Sequence, residues 1–256
     1  MDSSSNIRKS VQEKYAQIAR GEITIDAMTT PSSCCCGGEK KNAVLDMSMQ
    51  YSDGDLSAIP DGANLGLGCG TPASFAGLKE GMTVLDLGSG AGIDCFVAAK
   101  YVGASGTVIG VDMTEAMIRK ANENKKKVDL PNVEFRFGEI ENLPVANNTA
   151  DRVISNCVIN LVPDKERAFH EIHRVLKPGG SFSVSDIVID GEVTDKERKD
   201  ASLWAGCISG ALDRKEYLAI IGRAGFHSVN VQSEKRYDYR LASGAGIFSI
   251  TVTGTK

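Results

Sequence analysis

The stretch Val-Leu-Asp-Leu-Gly-Ser-Gly-Ala-Gly-Ile-Asp, residues 84–94, decides the fold of this chain. It predicts a buried strand that runs into a glycine-rich turn and then into a helix. Asp112 follows Gly92 by 20 residues, at the end of a second apolar run. Glycines let a ligand approach the backbone, and an acidic residue at this spacing can accept hydrogen bonds from both hydroxyls of a ribose. The pair therefore predicts a nucleoside-binding site.

The spacing of the glycines narrows the choice of nucleoside. Gly88, Gly90 and Gly92 follow the pattern G-x-G-x-G and not the dinucleotide pattern G-x-G-x-x-G. Asp86, inside the strand, would repel a pyrophosphate but suits a ligand that carries cationic groups. No G-K-[ST] sequence follows the turn, which argues against a nucleoside triphosphate. We therefore expect S-adenosylmethionine, which has a ribose, an ammonium and a sulfonium but no phosphate.

Strand-like and helical segments alternate along the chain and predict a parallel sheet covered by helices on both faces. The predicted strands are residues 82–87, 107–111, 133–137, 151–155, 181–187, 228–238 and 246–254. The predicted helices are residues 10–19, 92–101, 114–128, 164–176 and 213–223. We divide the chain into an N-terminal extension that caps the active site (1–75), a cofactor-binding core (76–190), a substrate-binding insertion (191–212) and a segment that completes the sheet (213–256).

Three later motifs resemble those of the class I S-adenosylmethionine-dependent methyltransferases. They are the loop after the third strand (137–144), the fourth strand (151–156) and the turn before the fifth strand (176–180). The resemblance implies a Rossmann-like α/β fold with a seven-stranded, mostly parallel sheet. It also implies that the cofactor is bound by Asp86, Gly88, Ser89, Gly90, Gly92, Asp112, Met113, Glu139, Ile140, Glu141 and Asn156.

The composition limits the other classes of function. The chain has 256 residues, 42% hydrophobic and 24% charged, which is typical of globular proteins. A net charge of −4 argues against a nucleic-acid partner. We find no apolar run of about 18 residues and no signal peptide, and we expect a soluble, cytoplasmic monomer that does not bind membranes. Seven cysteines in such a protein indicate ligand or redox chemistry rather than a disulfide framework.

Three of these cysteines are predicted to meet at one rim. Cys157 immediately follows Asn156 at the carboxyl end of the fourth strand, where a thiol either packs as a small hydrophobic group or binds the methyl acceptor. Cys69 lies between two glycines, and Cys207 lies in the insertion. Together they favour a thiophilic substrate. Trivalent arsenic fits, because it binds three thiolates and keeps a lone pair that can attack a methyl carbon without a general base.

The surroundings of these cysteines resemble the three cysteine motifs of the arsenite S-adenosylmethionine methyltransferases, at residues 63–72, 155–160 and 203–211. The resemblance implies that Cys157 and Cys207 bind arsenic and that Cys69 is the third ligand and a redox partner. It also implies an N-terminal cysteine that pairs with Cys69. Because three cysteines occupy that place, the matching residue stays open, and Cys35 is our candidate among Cys34, Cys35 and Cys36. An external thiol, glutathione or thioredoxin, would re-reduce the pair.

Several alternatives stay open. Tyr15 either closes over the methyl donor or only anchors its helix, and Cys95 is expected to pack in the core. A carbon methyltransferase of a quinone-like lipid would share the core motifs but leave the three cysteine motifs unexplained. A non-catalytic, thiol-based metalloid-binding protein would bind arsenic equally well without a donor site.

Overall fold

The computed structural model of the protein describes residues 3–23, 51–56, 59–198, 207–208 and 210–256. Cys34, Cys35 and Cys36 lie outside the described residues, so the predicted redox pairing with Cys69 stays a prediction. In the described part of the chain, no helix is long and apolar enough to span a bilayer.

Seven strands of the described residues form one sheet in the order β3-β2-β1-β4-β5-β7-β6. Strands β1 to β5 pair in parallel, and β7 runs antiparallel to both β5 and β6. The strands are β1 (Thr83–Leu87), β2 (Thr107–Asp112), β3 (Val133–Phe137), β4 (Ala150–Asn156), β5 (Leu176–Asp190), β6 (His227–Arg240) and β7 (Gly246–Thr255). The predicted fold class is confirmed.

Helices flank the sheet on both faces. They are α1 (Ser3–Arg20), α2 (Asp53–Leu56), α3 (Pro72–Phe75), α4 (Ile93–Val102), α5 (Glu115–Lys125), α6 (Lys165–Val175), α7 (Asp195–Arg198) and α8 (Arg214–Arg223), with a 3-10 turn at Ile159–Leu161. The amphipathic pattern of α6 explains its packing, because Phe169 and Ile172 are completely buried on one side. The Asp164 side chain caps this helix by accepting a hydrogen bond from the Arg167 backbone N–H at 2.9 Å.

The order of the strands sets the position of the site. β1 and β4 are neighbours, and their following helices lie on opposite faces, so a crevice opens between their carboxyl ends. The glycine-rich turn follows β1, and Cys157 follows β4. A separate apolar cluster above this edge combines Cys69, Cys157 and Cys207 with residues of α1 and β5.

Two predicted boundaries differ most from the structure. Helix α1 begins at Ser3 rather than Ser10, and its added turns carry Arg8, whose guanidinium contacts the Glu141 carboxylate at 2.8 Å. Residues 176–180, predicted as a turn, belong to β5. They stay in the sheet because Leu176 pairs with Ala150, and the backbones of residues 179–180 exchange hydrogen bonds with Lys256.

Candidate active site

A cavity at the carboxyl ends of β1 and β4 collects most of the predicted cofactor residues. Those that line it are Tyr15, Gly88, Ser89, Gly90, Asp112, Met113, Glu139, Ile140, Glu141 and Asn156. Asp86 and Gly92 are not among the lining residues. Cys157 lines the cavity, which brings one of the predicted arsenic ligands to the wall of the predicted donor site.

The turn after β1 requires glycine for two different reasons. Gly88 has φ +66°, and a Cβ there would lie 2.4 Å from the Val158 side chain. Gly92 has φ +96°, and a Cβ there would lie 2.8 Å from the Phe135 ring. Positive φ and close packing both exclude larger residues. Gly92 therefore shapes the turn from beneath the cavity and does not line it.

Asp112 links the turn to the cavity. Its carboxylate accepts hydrogen bonds from the backbone N–H groups of Gly90, at 3.0 Å, and Thr114, at 2.8 Å. Burial raises the pKa of Asp112 above its ordinary value. Each carboxylate oxygen keeps a second lone pair, so the same side chain can fix the turn and accept the hydroxyls of a ribose.

Two further carboxyl groups lie beneath and beside the cavity. Asp86 is 2% exposed and accepts a hydrogen bond from the Cys95 thiol at 3.2 Å. Burial, with the nearby Asp94 as a second cause, raises the pKa of Asp86 well above its ordinary value. Asp94 lines the cavity, and its two oxygens accept hydrogen bonds from the Tyr51 hydroxyl and from the Asn156 side chain. Burial raises the pKa of Asp94 to about 6.

The composition of the cavity wall fits S-adenosylmethionine. Ser89 is buried, lines the cavity, and its hydroxyl has no hydrogen-bond partner within the described residues. Buried polar groups normally have a partner, so this hydroxyl marks a place for a polar ligand. Asp94 and Asp112 add negative charge to the same wall, which suits a ligand with an ammonium, a sulfonium and ribose hydroxyls.

Asp94 should make donor binding dependent on pH. A cationic ligand binds the ionised carboxylate, so binding below a pKa of about 6 requires the loss of a proton. We expect the affinity for S-adenosylhomocysteine, measured by calorimetry, to rise about fivefold from pH 5 to 6 and about twofold from pH 6 to 7. Asp94→Asn should remove this dependence. A wild-type affinity that is flat from pH 5 to 7 would contradict the assignment.

The raised pKa of Asp94 gives the stability of the fold the opposite pH dependence from that of donor binding. Because the pKa of Asp94 is raised, the folded protein binds more protons than the unfolded chain between the ordinary value of 3.8 and about 6. Without ligand, the contribution of this group to stability therefore falls as the pH rises through that window. A bound cation offsets this loss.

The three thiols form a buried cluster centred on Cys157. Cys69, Cys157 and Cys207 are 7%, 2% and 1% exposed. The Cys157 thiol is hydrogen-bonded to the thiols of Cys207 and Cys69, and these contacts, together with burial, raise the pKa of Cys157 well above its ordinary value. The Cys207 thiol also lies 2.9 Å from the Cys157 carbonyl oxygen. The cluster therefore joins thiols from three separate segments.

The backbone is strained at two of these cysteines. Cys157 and Cys207 both have φ +61°, which side-chain-bearing residues rarely adopt. Such a conformation costs about 1–3 kcal/mol per residue and is maintained by the surrounding structure. At Cys157 the backbone N–H donates to the Ser185 carbonyl at 2.7 Å, which fixes the turn after β4. Both strained residues carry thiols of the cluster.

Two buried titratable side chains, Lys165 and Asp186, lie in the elements around the segment after Cys157. The Lys165 ammonium donates to the carbonyls of Asn160, at 3.2 Å, and Val162, at 3.0 Å. Burial lowers the pKa of Lys165 to about 8. Asp186 on β5 accepts the Tyr217 hydroxyl at 3.1 Å, and burial raises its pKa to about 7. Lys165 thus closes the loop between β4 and α6 on itself, and the Asp186–Tyr217 contact joins β5 to α8.

Helix α1 lies over the cavity. Gln12 donates to the Met113 carbonyl at 3.2 Å, and Arg8 forms ion pairs with Glu139, at 3.2 Å, and Glu141, at 2.8 Å. The Tyr15 hydroxyl is hydrogen-bonded to Cys207, and burial first and the nearby cysteines second raise its pKa. Tyr15 thus contacts the thiol cluster and lines the cavity.

Some residues stand apart from the cluster. Cys95 is completely buried in α4, as expected for a packing residue, and the sequence did not predict its contact with Asp86. Within the described ranges, no three His, Cys, Asp or Glu side chains, the three thiols included, are arranged to hold a metal ion, so the thiol cluster is not a preformed metal site. The sequence analysis missed Arg8 and Asp94 in the cavity wall. For Asp94 a signal existed, since it closes the decisive stretch and lies in the first turn of α4.

Fold and cavity together define a class I methyltransferase, and comparison with known proteins agrees. The family described as "Methyltransferase domain" matches residues 78–225, more than half of the chain. An arsenite methyltransferase from Halobacterium salinarum is 45% identical over 230 residues, which cover 88% of this chain and 58% of that protein. One from Aquipseudomonas alcaligenes is 37% identical over 227 residues, which cover 86% of this chain and 62% of that protein.

A solved structure supports the same relationship. An arsenic(III) S-adenosylmethionine methyltransferase from Chlamydomonas reinhardtii superposes with a TM-score of 0.68 at 34% identity, covering 81% of this chain and 71% of that one. The chain belongs to the methyltransferase-domain family and is similar to arsenite methyltransferases. It spans 58% and 62% of the length of the two sequence relatives above.

Proposed function

We propose that the protein transfers a methyl group from S-adenosylmethionine to trivalent arsenic held by cysteine thiolates, for the detoxification of arsenic. The observation that carries this proposal is the position of Cys157. This residue lines the donor cavity and is hydrogen-bonded to both Cys69 and Cys207. A thiophilic acceptor bound there would lie directly beside the donor.

The donor side of the proposal rests on the acidic wall of the cavity. Asp112 accepts the ribose hydroxyls while it holds Gly90, and Asp94 receives the ammonium group. Glu139 and Glu141 frame the adenine, with Arg8 paired to both carboxylates. S-adenosylmethionine, when bound, supplies an electrophilic methyl group. The residues of the chain bind and orient it and, with Tyr15 and α1 over the cavity, exclude water.

The acceptor part of the proposal rests on the binding of arsenic by cysteine sulfur, which is a soft ligand. When a thiol replaces a hydroxide on arsenite, an S–As bond forms, an As–O bond breaks, and the thiol proton leaves with the hydroxide as water. The buried thiols of Cys69, Cys157 and Cys207 therefore need no permanent ionisation. Three sulfur ligands leave the arsenic lone pair free to form an As–C bond with the methyl group, while the bond from that carbon to the sulfonium sulfur breaks and S-adenosylhomocysteine leaves. Catalysis is then mainly alignment, which can contribute ~7–11 kcal/mol.

The remaining parts of the proposal concern turnover. Methylation leaves arsenic oxidised by two electrons. One of Cys34, Cys35 and Cys36, with Cys35 as the candidate, forms a disulfide with Cys69 that returns these two electrons to arsenic, and glutathione or thioredoxin then reduces the disulfide. Such chemistry needs reduced cysteines, which the cytoplasm maintains. We further propose that residues 1–75 and 191–212 act as the cap and the substrate-binding insertion, and that the protein works as a monomer.

The proposal is tested by product formation. Purified protein, arsenite, S-adenosylmethionine and excess glutathione are incubated, and methylated arsenic is measured by mass spectrometry. We expect methylarsenic species that depend on both arsenite and the methyl donor. A protein that binds donor and arsenite but forms no methylated arsenic would instead be a metalloid-binding protein. Methylation of a quinone-like lipid without methylation of arsenic would favour the carbon methyltransferase.

A further inference from the structure

One side chain connects the donor cavity with the loop that carries Cys69. We propose that Asn156 couples the two sites, so that occupation of the donor cavity strengthens the binding of arsenic to three thiolates, and the reverse. Asn156 is a positioning residue in this scheme and acts through Asp94 on one side and Cys69 on the other. The inference rests on the proposed function, because it assigns a ligand to each site.

The contacts of the Asn156 amide run in two directions. Its oxygen accepts hydrogen bonds from the backbone N–H groups of Cys69, at 3.0 Å, and Gly70, at 3.2 Å. Its nitrogen donates to the Gly70 carbonyl at 2.8 Å and to the Asp94 carboxylate at 3.2 Å. One planar group therefore holds two consecutive residues of the loop and one wall residue of the donor cavity.

The loop has little freedom to sit elsewhere. A Cβ on Gly70 would lie 2.5 Å from the Ser185 hydroxyl oxygen, so the loop is pressed against β5. The Ser185 hydroxyl is itself fixed by the Thr251 hydroxyl at 2.8 Å. Cys157 follows Asn156 directly and is bound to the Ser185 carbonyl through its N–H. The position of the Cys69 thiol relative to Cys157 is thus set by Asn156 and Ser185.

A cation in the donor cavity acts on this connection through charge. Next to a bound ammonium, Asp94 is held in its ionised form, which only accepts hydrogen bonds. Donation from Asn156 to a carboxylate is then charge-assisted and stronger than donation to a neutral carboxyl group. The amide is fixed in the orientation that presents its oxygen to the N–H groups of Cys69 and Gly70. Coupling between two ligands is reciprocal, so arsenic bound by Cys69 must favour donor binding equally.

The test compares two arsenicals that differ in the number of thiolates they take. Arsenite has three exchangeable hydroxides, whereas phenylarsine oxide in water has only two, and Cys157 with Cys207 can satisfy it without Cys69. Binding of each is measured by calorimetry with and without saturating S-adenosylhomocysteine, which carries the ammonium but no transferable methyl group. The comparison is made at pH 5, where a pKa of about 6 leaves most of Asp94 protonated without a bound cation. In wild type we expect the affinity for arsenite to rise by about fivefold with S-adenosylhomocysteine, and that for phenylarsine oxide to stay within about twofold.

Two variants cut the connection at different points. Asn156→Ser removes the contacts to the loop and to Asp94, whereas Asn156→Asp keeps an acceptor for the loop but cannot donate to Asp94. For both variants, the S-adenosylhomocysteine concentration is first shown to be saturating. We then expect the ratio of arsenite affinities with and without S-adenosylhomocysteine to fall to near one. Asn132→Ala is the matched control, because the Asn132 amide also clamps a turn, through Gly103 and Gly106, away from the cavity. It should keep the wild-type ratio.

The outcomes separate this inference from the proposed function. If wild type does not bind arsenite through its thiols, the proposed function fails. If wild type binds and methylates arsenite but shows a ratio of one, the coupling is absent. A full ratio in either folded Asn156 variant would assign the coupling to other residues and overturn the role given to Asn156. Equal enhancement of arsenite and phenylarsine oxide would overturn the role of Cys69.

Discussion

Cys157→Ser should reduce the rate of arsenic methylation by at least ~10²-fold, because misplacement of a reacting atom by about 1 Å can already cost that much. Cys157 is the thiol that lines the donor cavity, and both other thiols are hydrogen-bonded to it. Serine is nearly the same size and adopts φ +61° no more easily than cysteine, so the strained turn is preserved. What changes is the ligand, since a hydroxyl is a hard oxygen donor and binds arsenic weakly.

The control for this prediction is Cys95→Ser. Cys95 is also completely buried, and a serine hydroxyl can still donate to the Asp86 carboxylate as the thiol does. Methylation by this variant should stay within a fewfold of wild type. Rates are measured with S-adenosylmethionine and glutathione in excess, and folding is checked by thermal unfolding. Full activity in Cys157→Ser would remove the thiolate site from the mechanism.

The sequence could predict the fold because periodicity and glycine spacing are local signals. Residues 84–94 contain the strand, the turn and the helix start, and the structure has all three. The order of the motifs along the chain then indicates the sheet, because parallel strands joined by helices leave few topologies. The predicted boundaries were least accurate at the starts of α1 and β5. There Arg8 and Leu176 are fixed by partners far away in the chain.

Many residues of the candidate site could be predicted from the sequence, but most of the contacts between them could not. The carboxyl-end rule for α/β sheets places Cys157, which follows β4, at the edge where ligands bind. Asn156 was expected to contact the cofactor, but its hold on Cys69 and Gly70 depends on how a distant loop rests against β5. No pattern of residue types reports such a contact. The position of Asp86 beneath the cavity, and not in its wall, could not be predicted from residue types either.

The second large effect concerns the donor. Asp112→Asn should weaken the binding of S-adenosylhomocysteine by ~10²–10⁴-fold, because hydrogen bonds to a charged acceptor are worth about 1.5–3 kcal/mol each and two ribose hydroxyls lose theirs. The amide also offers only one acceptor atom to the N–H groups of Gly90 and Thr114. The turn after β1 then loses part of its support. Product formation should fall in parallel.

Asp151→Asn is the matched control, because the Asp151 carboxylate also accepts a backbone hydrogen bond, from Thr83 at 2.8 Å, but at the opposite end of β1. It should leave the binding of S-adenosylhomocysteine within about twofold of wild type, since nothing near the cavity changes. Arsenite binding without donor should persist in Asp112→Asn, because no cysteine of the cluster accepts or donates a hydrogen bond to that carboxylate. If the protein is a methyltransferase, this variant therefore still binds arsenite but forms little methylated arsenic. Unchanged methylation in Asp112→Asn would show that the donor binds elsewhere.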